Sequence, residues 1–259
     1  MSVLEHIRHN AAAGVKMLAV LLDPAKPVDL QRVAALIAQS GVSLVLIGGS
    51  GYTEPVDSYL LRLRQCLADS DARSCHILLF PGDICQFSPE ADALLFLSLL
   101  SCRDAELLVG KHISVARRVQ ESGIETIPMG YILVDGGSVS TVQQVTAAQP
   151  LSDADAVVST AVAGVLLGKQ LIYLEAGSGA AVSVSPDIIS AVRSRISVPL
   201  LVGGGVRTTG QLTAAFQAGA DIVVVGNWFE SHPEDIPLFA DAAKTVTSPM
   251  KDERNMNGT

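Results

Sequence analysis

Short runs of β-branched residues and leucine alternate along the chain with stretches whose apolar positions recur every three or four residues. The first pattern predicts buried strands and the second amphipathic helices. Strands are predicted at Met17–Leu22, Ser43–Ile47, Cys75–Phe80, Ala93–Leu97, Leu171–Leu174, Val198–Val202 and Ile222–Val225. A further one begins at Glu125–Ile127 and leads through Gly130 into Ile132–Val134. Helices are predicted near Val28–Gln39, Val56–Ala68, Ala105–Gln120, Thr141–Ala148, Ala154–Leu167, Asp187–Arg195 and Thr208–Gln217. Eight strand units with helices between them predict an α/β chain folded as a (β/α)8 barrel. The interval from Phe80 to Ala93 holds Pro81, Gly82 and Pro89 and little helical pattern. The third helix is therefore expected to be absent or shortened, which leaves one flank of the barrel open. No internal linker is visible, so residues 1–247 are read as one domain and residues 248–259 as a polar, frayed tail.

Composition agrees with buried parallel strands. Of the 259 residues, 49% are hydrophobic, and the mean hydropathy is +0.39. Strands covered on both faces need continuous apolar runs, which produces that excess without a membrane span. The most apolar stretch, Ala156 to Gly168, is too short to cross a bilayer and contains Ser159 and Thr160. The N-terminus lacks the pattern of a signal peptide, and a cytoplasmic protein is expected. A net charge of -8 argues against nucleic acid as a partner. It leaves room for a small phosphorylated ligand held by local N–H groups. Cys66, Cys75, Cys85 and Cys102 form no CxxC pair and read as reduced thiols.

Three glycine-bearing turns follow predicted strands in the last third of the chain. They are Tyr173-Leu174-Glu175-Ala176-Gly177-Ser178-Gly179, Gly203-Gly204-Gly205-Val206-Arg207 and Gly226-Asn227-Trp228. Glycine lets backbone approach a ligand closely, and freed N–H groups can wrap an anion. In a parallel barrel these turns share one face with Asp23, Gly48-Gly49-Ser50, Pro81-Gly82-Asp83 and Gly130, the face that carries active sites. The strand-end carboxylates Asp23 and Glu175, the Ser50 hydroxyl and a nest of donors suit a phosphate beside a metal-bound diphosphate. From the residues alone, Asp23 before Pro24 is equally a turn residue, and Arg207 either caps a helix or approaches phosphate. His112 reads as a surface or groove-edge residue, and Trp228 as packing under the last loop.

The segments Leu21 to Lys26, Ile47 to Ser50, Gly130 to Ser138, Tyr173 to Gly179, Val202 to Arg207 and Val225 to Asn227 resemble the geranylgeranylglyceryl phosphate synthase family and its PcrB-like members. The resemblance runs from about Met17 to Phe229 in the same order. It implies a modified barrel without its third helix and Mg²⁺-dependent prenyl transfer to sn-glycerol 1-phosphate from a long-chain prenyl diphosphate. It also implies an assembly of like subunits and transient contact with membranes. By resemblance, Asp23 and Ser50 would hold the metal. Tyr173, Leu174, Glu175, Ala176, Gly177, Ser178, Gly179, Gly204, Gly205, Gly226 and Asn227 would bind glycerol phosphate. Glu175 would accept the proton of the attacking hydroxyl, and Lys26 would meet diphosphate. The open flank would take the prenyl chain over Leu78 to Phe80 and Leu94 to Leu97. One departure is Asp104-Ala105, where the family often has an Asn-Pro pair. Competing readings are a sugar-phosphate isomerase or lyase and a phospho-ligand sensor without catalysis.

Overall fold

Parallel strands made of uninterrupted apolar residues can be stable only if both faces are covered, and a closed barrel covers both. The computed structural model describes residues 1–49, 52, 54–146 and 148–246. Its strands are β1 (Met17–Leu22), β2 (Leu44–Ile47), β3 (His76–Leu79), β4 (Ala93–Leu99), β5 (Glu125–Leu133), β6 (Leu171–Glu175), β7 (Leu200–Gly203) and β8 (Ile222–Val225). They pair in sequence order, all parallel, and β8 closes on β1. The helices are α1 (Val3–Ala12), α2 (Leu30–Ser40), α3 (Asp57–Asp69), α4 (Lys111–Ser122), α5 (Thr141–Thr146), α6 (Ala154–Leu166), α7 (Pro186–Arg193), α8 (Thr209–Gln217), α9 (Asn227–Ser231) and α10 (Ile236–Val246). A five-residue π-helical turn, Glu106–Gly110, leads into α4. None of the described helices is long and apolar enough to cross a membrane. The polar tail at residues 248–259 lies outside the described residues.

Alternation along each strand sorts the apolar side chains into two cores. Ala19, Leu46, Leu95, Met129, Tyr173 and Val224 fill the barrel interior. Val20, Ile47, Ile172, Leu174, Val202 and Val225 face outward against the helices. The interior is closed from below by α1, whose Val3 and Ile7 join that inner core. Glu125, at the start of β5, anchors this plug by accepting the N–H groups of Val3 (2.7 Å) and Leu4 (2.9 Å). A carboxylate at a helix N-terminus satisfies free amides and complements the helix dipole.

Between β3 and β4 the chain forms only a three-residue 3-10 turn, Ile84–Gln86, so the barrel has no third helix. The seam is also short: β3 and β4 pair at two positions, against seven for β4 and β5. Gln86, nearly fully buried, bridges the loops here. Its amide group donates to the carbonyls of Gly49 (2.8 Å) and Tyr52 (2.5 Å) and accepts the Gly82 N–H (2.9 Å).

Two expectations need correction. The fifth strand is a single nine-residue element despite Pro128 and Gly130. Gly130 therefore lies inside β5 and not on a strand-end loop. A Cβ there would stand 2.6 Å from a Leu100 methyl and 2.9 Å from an Ile172 methyl, so the glycine lets these two side chains pack close to the strand. Helices α1 and α10 were also not indicated by the sequence pattern.

Candidate functional site

All the predicted strand-end residues that are described, apart from Gly130, lie at the C-terminal face of the barrel, where one cavity gathers most of them. Its wall includes Asp23, Lys26, Gly49, Tyr173, Glu175, Gly177, Ser178, Gly179, Gly204, Gly205, Gly226 and Asn227. Ser50 lies outside the described residues. Leu174 and Ala176 do not line the cavity. Strand alternation turns both side chains into the helix-facing core, so any part they play is through the backbone of their segment.

The polar half of the cavity is built from β6, β7 and β8. Gly177 and Gly179 have φ values of +103° and +77°, and Gly204 and Gly205 of +80° and +70°. These left-handed values favour glycine, and at Gly204 there is also no room for a side chain. A Cβ on Gly204 would run into the Glu175 carboxylate and stand 2.6 Å from the Gly177 nitrogen. The N–H groups of Ser178, Gly179, Gly204 and Gly205 have no acceptor among the described residues. Such a cluster of free amides is the equipment of an anion site. The Ser178 hydroxyl donates to Asn227 Oδ1 (3.1 Å), tying the first loop to the third. Arg207 also lines the cavity, and its guanidinium donates to the carbonyls of Ala180 (2.6 Å) and Ala181 (3.2 Å). It thus braces the loop after β6 and caps no helix.

Glu175 closes β6 and is only 6% exposed. The Gly177 N–H donates to its Oε1 at 2.8 Å. Burial pushes the carboxyl pKa up, while the neighbouring Tyr173 hydroxyl and the Gly177 N–H offset part of that rise. Tyr173 is itself fully buried, and its hydroxyl, next to Glu175, has no hydrogen-bond partner of proper geometry among the described residues.

The opposite corner holds Asp23. Its Oδ1 accepts the Ala25 N–H at 2.9 Å in an Asx turn, so the residue serves as both turn-former and cavity wall. A Cβ on Gly49 would stand 2.6 Å from Asp23 Oδ2, so glycine leaves this carboxylate its space. Among the described residues no group of three or more His, Cys, Asp or Glu could hold a metal ion. Lys26 is exposed beside Asp23.

From there the cavity runs as an apolar groove over the open flank, walled by Phe80, Phe87, Leu94, Phe96, Val115 and Val119. Leu94 and Phe96 face outward from β4 and would be covered by a third helix in a complete barrel. His112 is a groove-wall residue: its Nε2 contacts the Leu97 carbonyl (2.7 Å) and its ring meets Phe96 edge-on at 4.4 Å. Burial lowers its pKa. Trp228 stacks on His232 at 4.0 Å and donates its indole N–H to Asp235 (2.8 Å), consistent with packing under the last loop. Sequence reasoning missed three groups here. They are the Gln86 bridge, the Lys111–Asp83 ion pair at 2.9 Å across the groove mouth, and the Glu230 carboxylate in the same wall. None carries a local signature, since each acts only through residues distant in sequence.

A closed eight-stranded parallel barrel with free loop amides and a buried carboxylate at its C-terminal face defines the class of (β/α)8 barrels. Within that class the chain belongs to the PcrB family, whose model matches residues 14–244. It is 39% identical over 245 residues to the geranylgeranylglyceryl phosphate synthase of Chitinophaga pinensis, covering 93% of this chain and 95% of that protein. The protein of the same name from Pyrococcus abyssi is 37% identical over 232 residues, with 87% and 89% covered. Among solved structures, (S)-3-O-geranylgeranylglyceryl phosphate synthase from Thermoplasma acidophilum, in complex with sn-glycerol-1-phosphate, superposes with a TM-score of 0.84. That match has 32% identity and covers 95% of this chain and 99% of the other.

Proposed function

We propose that this chain transfers a geranylgeranyl or other long prenyl group from its diphosphate to the C3 hydroxyl of sn-glycerol 1-phosphate, giving an ether-linked lipid precursor with the help of Mg²⁺. The observation that carries this reading is the buried Glu175 carboxylate set directly against the glycine cradle of Gly177 and Gly204. A phosphate on the free amides would hold a three-carbon alcohol with a hydroxyl near that carboxylate. The relationship to proteins named for this synthesis supports the same conclusion.

The loop amides bind and orient the acceptor, converting an encounter into a positioned reaction. Glu175 takes the hydroxyl proton as oxygen attacks the first prenyl carbon, and a base so placed contributes about 10²–10⁴-fold. Its raised pKa suits this work, because a more basic carboxylate is the better proton acceptor. Asp23 fits a hard divalent cation: one of its oxygens is engaged by the turn, and Gly49 leaves the carboxylate open. Mg²⁺ commonly takes only one or two protein ligands beside phosphate oxygens and water. Asp23 and, by the family resemblance, Ser50 would hold it. When bound, the cation would neutralise charge on the departing diphosphate. Lys26, at the same corner, would meet that diphosphate, and the open-flank groove would take the prenyl chain.

The isomerase or lyase reading leaves the apolar groove without a purpose, and the sensor reading leaves Glu175 without one. We further expect the chain to work in the cytoplasm as an assembly of like subunits. Incubation with sn-glycerol 1-phosphate, Mg²⁺ and labelled prenyl diphosphates of graded length tests the proposal. An ether lipid with at least one donor is expected, and no product at any length would refute it.

A further inference from the structure

Phe80, directly after β3, lines the cavity and contacts residues next to each of its polar corners. On one side it abuts Gly48, where a Cβ would stand 2.7 Å from the Phe80 carbonyl carbon, and the next residue, Gly49, packs on Asp23. On the other side its ring is 5.5 Å from that of Tyr173, whose hydroxyl neighbours Glu175. Tyr131 completes the group, 5.9 Å from Phe80 and 5.5 Å from Tyr173, the last pair meeting edge to face at 87°. Both tyrosines are buried, whereas Phe80 is half-buried and is among the residues that line the cavity. The three rings pack together as one aromatic cluster in the cavity wall.

This inference rests on the prenyl-transfer reading above. The diphosphate belongs at the Asp23 corner and the acceptor hydroxyl at Glu175, so the first prenyl carbon must lie between them, over Phe80. There the bond from carbon to diphosphate oxygen breaks with its electron pair leaving on diphosphate. The acceptor oxygen supplies the pair for the new bond, and its proton goes to Glu175. Positive charge builds on the allylic carbon while the old bond is ahead of the new one. Burial holds both phenols neutral, their pKa values driven well above normal, so no anion below competes for that carbon. The geometry points to Phe80 as a catalytic residue whose ring face, braced by Tyr131 and Tyr173, stabilises the positive charge on the reacting prenyl carbon.

The test replaces Phe80 with mono-, di- and trifluorophenylalanine, which weaken the ring's negative face with little change of volume. Phe80→Leu, which removes the face, accompanies them. The expected result is a stepwise fall in kcat with each fluorine and a loss of roughly tenfold or more for the leucine variant. Affinity for sn-glycerol 1-phosphate and the melting temperature of the fluorinated proteins should stay unchanged. A flat fluorine series overturns the role, whatever the leucine variant does, since packing alone would then account for Phe80. If the unsubstituted protein makes no product with any donor, the reaction itself fails and this role with it. If that protein turns over while the series is flat, only the role of Phe80 fails.

Discussion

The two halves of the cavity are built on opposite principles. On the β6–β8 side, tight glycine turns hold backbone N–H groups and a buried carboxylate in fixed places. On the β3–β4 side, an element is left out: no helix joins β3 to β4, and a 3-10 turn tied by Gln86 to the loop after β2 takes its place. The comparison teaches that one barrel can offer a rigid polar grip and an apolar channel side by side. The first is made by adding constraints at strand ends, and the second by removing a helix.

Substitutions on the two sides should therefore fail differently. The largest effect is expected from Glu175→Gln, which should lower kcat by about 10²–10⁴-fold while calorimetry shows sn-glycerol 1-phosphate still bound. Near-normal turnover would remove Glu175 from the proton transfer. Asp23→Asn should raise the Mg²⁺ concentration needed for half-maximal rate by roughly tenfold, with acceptor binding unaffected; an unchanged Mg²⁺ curve would take the metal away from this corner. On the apolar side, Gln86→Leu would strand two carbonyls and an amide, costing about 1–3 kcal/mol in denaturant unfolding. It should raise the KM of the prenyl donor more than that of the acceptor, and an equal rise in both would blur the division drawn here.

The smallest effects are those of pH. Because burial raises the Glu175 pKa, the acid limb of kcat should lie above the ordinary carboxylate range. The sign for stability is opposite. A raised folded-state pKa favours the fold below the unfolded value, and that contribution is lost as pH rises through the folded one. Glu175→Gln should thus melt higher than the unsubstituted protein near neutrality, and the gap should close below the normal carboxyl pKa. A variant that melts lower throughout would mean that the ionised carboxylate is held favourably.

Much of the barrel could be read along the chain because fully buried strands such as Ile222–Val225 and Leu44–Ile47 leave unmistakable apolar runs. Asp23, Glu175 and the glycines were visible because each stands where such a run ends. Gly130 misled, since its meaning comes from Leu100 and Ile172 and not from its neighbours in sequence. Helix α1 escaped notice because the barrel interior that buries Val3 and Ile7, and the Glu125 carboxylate that anchors it, are both distant in the chain. Gln86 was hidden for the same reason: nothing near a glutamine announces that it will bridge three loop groups. The open flank was legible only as a missing helical pattern, and its depth depends on how α4 packs.

The most direct test follows the backbone amide resonances of the protein as sn-glycerol 1-phosphate is added, with glycerol as the comparison. The account predicts that the amide signals of Ser178, Gly179, Gly204 and Gly205 move together with the phosphorylated ligand and remain still with glycerol. Shifts confined to other parts of the barrel, or equal responses to both ligands, would contradict it.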